Sequence, residues 1–219
     1  MEYISTNANR LLRSVNNSID VAKLDAKVYD TNYNMVNIVE IIDNIVDLVA
    51  IYAEQYEINI IFDPEKEEIS TAIDIEKLEK ILLNIISNSI KNMINGGSIF
   101  IKCNTIDNNI LISVEDNGRG IPNKIKNHIF DKYFHSPFEN LSRSADGSGI
   151  GLYIVKKFID ILDGSITFES TVGIGTTFYI TLPIKKVDTD SLTGVLNKTD
   201  KTKHLVNLEF AEISKRKKE

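Results

Sequence analysis

Ten of the eleven glycines in this 219-residue chain fall between Gly96 and Gly175. Glycine adopts left-handed backbone and lets other atoms come close, so such crowding marks a region that turns sharply or lies against a ligand. The two tightest clusters stand beside acidic or serine residues, at Asp116–Gly120 and Asp146–Gly151. With 42% apolar and 26% charged residues the chain is not disordered. Its length suits one ordinary domain plus an added element, or two small domains. Cys103 stands alone, which excludes an intrachain disulfide and a Cys-based zinc site and fits a reducing compartment. Glu40, Asp43 and Asp47 interrupt the greasiest stretch, Val36–Ala53, so it is not a membrane span. No signal-peptide pattern opens the chain, which points to a cytoplasmic location, whether or not a parent protein is anchored elsewhere. A net charge of −6 argues against non-specific nucleic-acid binding.

Periodicity predicts the elements. Ile4, Ala8, Leu11, Val15, Ser18/Ile19, Ala22, Ala26 and Tyr29 recur at steps of three and four, an unbroken helix over 1–29 with a heptad-like seam. The length of that seam favours a bundle or dimer over packing on its own domain. Residues 30–35 break the pattern, and a second helix follows over 36–55, with Asn37, Glu40, Asn44 and Asp47 as its wet face. Ile58–Phe62 and Ile69–Ile73 read as strands, and Asp74 caps a helix reaching Met93. Ser98–Thr105 and Ile110–Glu115 alternate as a hairpin. A loop-rich stretch over 116–147 precedes a helix over 148–162 and strands at Ser165–Ser170 and Thr176–Leu182. This order implies α+β architecture, one sheet with helices on a single face. The tail from Lys185 is polar and net basic. Leu205–Ile213 is its one structured candidate, and a solvated tail with a weakly docked segment is the simpler reading.

Three segments carry chemistry. On the helix after Asp74, positions 88 and 91 fall about +40° and −20° from position 84, so Asn84, Asn88 and Lys91 form one stripe. Taken alone, such a stripe is more simply a solvated face. Next, a strand feeds Asp116 into the turn Asn117-Gly118-Arg119-Gly120-Ile121. A carboxylate accepts a base amino group and repels phosphate, so Asp116 belongs at a base end, although an ordinary Asx turn would look similar. The third, Asp146-Gly147-Ser148-Gly149-Ile150-Gly151-Leu152, leads into a helix whose N-terminal N–H groups can hold an anion. It is neither a Walker loop nor a Rossmann fingerprint.

In this order and spacing, joined by Gly173-Ile174-Gly175-Thr176 and Ile129-Phe130-Asp131-Lys132-Tyr133-Phe134, the segments resemble the ATP-binding domain of sensor histidine kinases. That domain has the Bergerat fold shared with gyrase, Hsp90 and MutL. The resemblance implies a two-layer α/β sandwich with a mixed, mostly antiparallel sheet, preceded by a long helix. It divides the chain into residues 1–35 (part of a dimerisation hairpin), 36–184 (ATP-binding catalytic domain) and 185–219 (linker and tail). By resemblance, Asn88 binds Mg²⁺, Lys91 reaches the phosphates and Asp116 accepts from adenine, with Thr176 nearby. Asn84, Gly118, Gly120, Ile121, Lys132, Tyr133, Gly147, Ser148, Gly149, Ile150, Gly151 and Leu152 complete the nucleotide site, with 131–147 as a lid. Lys132, His135 and Arg143 are the candidates for a γ-phosphate contact, Arg143 foremost.

Departures narrow the reading. Asn92 stands where the family often has an aromatic. Asn84 stands where gyrase, Hsp90 and MutL carry a glutamate base, and an amide takes no proton at neutral pH. That pattern fits the histidine kinases instead, whose implied partners are a phosphoacceptor histidine domain, a response regulator and a second copy bound through the N-terminal helix. No phosphoacceptor motif is present, since His128, His135 and His204 all lie in or after the ATP domain. The expected function is transfer of the ATP γ-phosphoryl to a histidine, in a chain that does not label itself. The alternative is a nucleotide-gated interaction module without transfer.

Overall fold

A computed structural model describes residues 2–93, 95–134, 149–186 and 199–210. The elements run α1 (Glu2–Asp25), β1 (Asn34–Asn37), α2 (Ile38–Glu54), β2 (Ile58–Pro64), β3 (Ser70–Ile73), α3 (Ile75–Asn92), β4 (Gly97–Ile106) and β5 (Asn109–Asp116). After a 3-10 turn at Asn123–His128 come α4 (Gly151–Ile161), β6 (Ser165–Thr171), β7 (Gly175–Pro183) and α5 (Thr199–Phe210).

Five strands form one sheet in the order β2-β4-β5-β7-β6. The β2–β4 pair is parallel and the other three pairs are antiparallel. The expectation of a single sheet needs correction. β1 and β3 pair antiparallel with each other, Val36 opposite Thr71, and form a separate two-stranded sheet. Asn37 also differs from its expected place on the wet face of α2. It is the N-cap, and its Oδ1 accepts from Val39 N and from Ile69 N, so one amide starts the helix and holds the strand beside it.

The sheet alternates as a one-sided sheet does: Ile99, Ile101 and Cys103 of β4 are buried while Phe100 and Lys102 face out. Helices α2, α3 and α4 cover the inner face. Leu78, Ile81, Leu82, Ile85 and Ile86 of α3 are fully or almost fully buried, each about 2–5 kcal/mol if cut to alanine. Asp74 caps α3, accepting from Lys77 N at 3.1 Å.

α1 packs on this domain through one face only. Val21 and Asp20 are buried, and Asp20 receives the Tyr29 hydroxyl and, at 2.9 Å, the Lys80 ammonium. The opposite face carries the apolar seam, with Leu11, Val15 and Ile19 exposed. The weakly docked tail is corrected by the structure. Lys185 hydrogen-bonds β3 through its own N–H and C=O. α5 lies against α1, α2 and α3 with Val206, Leu208 and Phe210 buried. No described helix is long and apolar enough to cross a membrane.

Candidate functional site

A cavity of about 1080 Å³ opens between α3, the turn after β5, the start of α4 and the facing ends of β6 and β7. Asp116 forms its buried end. It is the last residue of β5, opposite Thr176 on one side and Ile99 on the other. Its Oδ2 accepts from Ser89 of α3 at 2.9 Å and its Oδ1 from Gly118 N at 3.0 Å. Burial pushes its carboxyl up, against the lowering effect of these donors and the Thr176 backbone.

Backbone approach here demands glycine. A Cβ on Gly175, whose φ is +147°, would lie 1.9 Å from the Asp116 carbonyl oxygen. Thr176, next in the chain, shares a hydrogen bond with Ser170 at 2.9 Å, and the Ser170 hydroxyl also accepts from Ile121 N at 2.7 Å. One serine thus ties β6, β7 and the β5 turn together.

The α3 stripe lines the cavity as the helical spacing requires, with Asn84, Asn88 and Lys91 all in its wall. Asn84 is largely spent on structure: Nδ2 donates to the Lys80 carbonyl at 2.9 Å, and a Cβ on Gly151 would come within 2.6 Å of Oδ1. Asn88 makes no side-chain hydrogen bond among the described residues, so its amide is available to a ligand. Across from it α4 begins at Gly151 with no side-chain cap. Its first-turn N–H groups therefore meet the cavity at the positive end of the helix dipole. Along α3, Asn84 meets the uncapped start of α4 and Ser89 meets Asp116, so the helix N-terminus and the carboxylate stand at opposite ends of the wall that Asn88 and Lys91 share. That polarity suits a ligand with a basic, amino-bearing ring and an anionic tail.

Of the residues expected at the site, Gly120, Ile121, Gly149, Leu152 and Thr176 also line the cavity. Gly118 acts through its N–H on Asp116 rather than from the wall. Ile150 is buried at the N-cap of α4. Lys132 is placed elsewhere: its ammonium sits 2.7 Å from Asp25 of α1, and Tyr133 beside it is exposed. His135, Arg143, Gly147 and Ser148, with most of the expected lid, lie outside the described residues.

The structure adds residues that the sequence did not single out. Ser89 sits one position past the stripe, and Arg119 donates from Nε and Nη2 to Asn92 Oδ1 at the cavity mouth. Ile125, Ile129, Phe134 and Phe178 supply apolar wall, and Arg13 reaches in from α1, more than 70 residues away in sequence. Ser89 carried a local signal as a hydroxyl within the polar run of α3, and Arg119, Ile129 and Phe134 stand inside the quoted motifs without an assigned role. Among the described residues no group of three or more His, Cys, Asp or Glu is arranged to hold a metal ion.

A family model described as histidine kinase-, DNA gyrase B-, and HSP90-like ATPase matches residues 73–186. The sensor histidine kinase WalK of Bacillus subtilis is 33% identical over 183 residues, 83% of this chain and 30% of its own length. Hybrid signal transduction histidine kinase D of Dictyostelium discoideum is 30% identical over 189 residues, 84% of this chain and 12% of its own. The chain therefore spans less than a third of these relatives. Among solved structures, full-length ShkA in complex with AMPPNP aligns at a TM-score of 0.72 with 24% identity, covering 83% of this chain and 37% of that one. The nucleotide-free catalytic domain of histidine kinase ThkA aligns at 0.60 with 26% identity, covering 70% and 97%. Over the segment that builds the buried carboxylate, the amide stripe and the uncapped helix, this chain belongs to the family of histidine kinase-, DNA gyrase B-, and HSP90-like ATPases.

Proposed function

We propose that the chain is the ATP-binding catalytic part of a two-component sensor histidine kinase, handing the γ-phosphoryl of ATP to a histidine for relay to a response regulator. The observation that carries this reading is the opposed polarity of the cavity, with Asp116 buried beside Ser89, the uncapped start of α4 beside Asn84, and Asn88 and Lys91 in the α3 wall that joins them. Asp116 accepts the adenine amino hydrogens, held in plane by Ser89 and Gly118. Lys91 and the α4 N–H groups take phosphate oxygens. The amide of Asn88 suits Mg²⁺, a hard ion served by neutral oxygen when a triphosphate supplies the charge. When bound, that ion neutralises charge on the phosphoryl group being transferred. Asn84 in place of a glutamate leaves the cavity wall without a base at that position, which favours transfer to an external histidine over self-contained hydrolysis.

In this reading residues 1–35 belong to a dimerisation hairpin, 36–184 to the catalytic domain and 185–219 to a C-terminal extension, all on the cytoplasmic side. The exposed seam of Leu11, Val15 and Ile19 is the face for a second copy. The test is calorimetry with Mg-ATP on the 219-residue chain. Wild type should bind, and Asn88→Asp should bind at least tenfold more weakly; equal affinities in Mg²⁺ remove the metal role. Incubation with labelled ATP should leave the chain unlabelled and label an added histidine-bearing helical hairpin. Binding without such transfer favours a nucleotide-gated interaction module.

A further inference from the structure

The amide end of the cavity has a wall that does not come from the family segment. Arg13 of α1 lines it, and the same side chain lines a smaller adjoining recess with Asn84. Asn84 touches the start of α4 at Gly151. Arg13 therefore stands at the end assigned to phosphate, away from Asp116.

Its position is set from the other terminus of the chain. Nε of Arg13 donates to Oε2 of Glu209 at 2.8 Å and Nη2 to Oε1 at 2.5 Å, with the two side chains only 14% and 9% exposed. A bidentate carboxylate fixes the plane of a guanidinium as well as its location. Glu209 is itself fixed, because Leu208 and Phe210 on either side are buried and Phe210 packs on Tyr52 at 5.5 Å. Thr202, about two turns earlier, bonds Glu79 of α3 at 2.6 Å. The C-terminal helix thus places a permanently charged group, carried by α1, against the nucleotide cavity. Nε and Nη2 are two of the five N–H donors that a guanidinium carries.

We propose that Arg13 binds the terminal phosphate of the nucleotide and that Glu209 of α5 is the positioning residue that aims it. The proposal rests on the nucleotide reading of the cavity given above. It makes the fit of a triphosphate, as opposed to a diphosphate, depend on α1 and α5 being docked together.

The experiment is calorimetry of the full 219-residue chain with Mg-ATP, Mg-ADP and AMP. Arg13→Gln should lower the ATP affinity about tenfold or more while ADP and AMP change little, the loss of one charge-assisted contact. Arg13→Lys, which keeps the charge and is the safer fold, should recover part of the ATP preference. Glu209→Ala should lower the ATP-to-ADP ratio in the same direction by less. A wild-type ratio in Arg13→Gln overturns the proposal, and so does an equal loss for all three ligands, which would make Arg13 a support of the cavity. A wild-type ratio in Glu209→Ala overturns the part given to α5. Wild type binding none of the three nucleotides is a separate outcome: it brings down the nucleotide reading itself, and this proposal with it.

Discussion

The hydroxyl of Ser89 on α3 donates to Oδ2 of Asp116 at the end of β5, 2.9 Å away and almost wholly out of solvent. This bond joins the helical floor of the cavity to the strand that carries its carboxylate. Ser89→Ala leaves a buried acceptor without its donor and should cost about 1–3 kcal/mol of stability. It should also weaken ATP, ADP and AMP alike, because the base end is common to all three. Urea titration and calorimetry on the same variant check both effects.

Asp116 gives a prediction in pH. Burial raises its carboxyl above the usual range, so its effect on folding is most favourable below the unfolded value of about 3.9 and declines as pH rises through the raised folded value. Asp116→Asn removes that decline. Its stability relative to wild type should improve from acid towards neutral pH, while nucleotide affinity falls at least tenfold. Melting temperatures across pH 4–8 test the first part. A difference that stays constant with pH would contradict it.

Asp74 titrates with the opposite sign. Burial alone would push the Asp74 carboxyl up, but the Lys77 ammonium at 2.6 Å and the N–H groups of Asn32 and Lys77 outweigh it and hold it below the usual range. Its contribution is present above the unfolded value and lost as pH falls through the depressed one. Asp74→Asn should cost about 3 kcal/mol or more at neutral pH, since it leaves the Lys77 charge buried and unmatched. The double variant with Lys77→Met should recover much of that loss, as read by urea titration.

Gly151 and Asn84 should behave as a coupled pair. A Cβ at 151 would press on Oδ1 of an amide tethered to the Lys80 carbonyl. Gly151→Ala should destabilise by about 1–3 kcal/mol in wild type and by clearly less in an Asn84→Ala background. A double-mutant cycle measures the difference.

Cys103 lies fully buried in β4, and burial with Glu65 nearby pushes its thiol up to about 12. Alkylation at pH 8 should be slow and limited by unfolding, and urea near the midpoint should accelerate it sharply.

Local order was legible in the sequence because local physics makes it. The apolar rhythm of α3, the Asp74 cap and the glycines at 118, 120, 149 and 151 depend on neighbours a few residues away, and their motif spacing singled out Asp116, Asn88 and Lys91 before any contact was known. Asn37 was misread because an amide at a helix start looks like one on a wet face; its bond to Ile69 N is a contact across 32 residues. β2 and β3 were foreseen as strands, but strand periodicity names no partner. Only the fold sends β2 to β4 and β3 to β1.

The same reason explains α5 and Arg13. The buried face of α5 includes Thr202 and Glu209 among its apolar residues, so its hydrophobic pattern is diluted and reads as a polar tail. Those two side chains are tolerable there because Glu79 and Arg13 meet them, an arrangement no linear pattern encodes. By itself the sequence determined helices α1 to α4, strands β2 to β7 and the segments that resemble a nucleotide site. Tertiary structure alone decided that helices from opposite ends of the chain join that site, because the partners that make a buried charge affordable lie 196 residues apart.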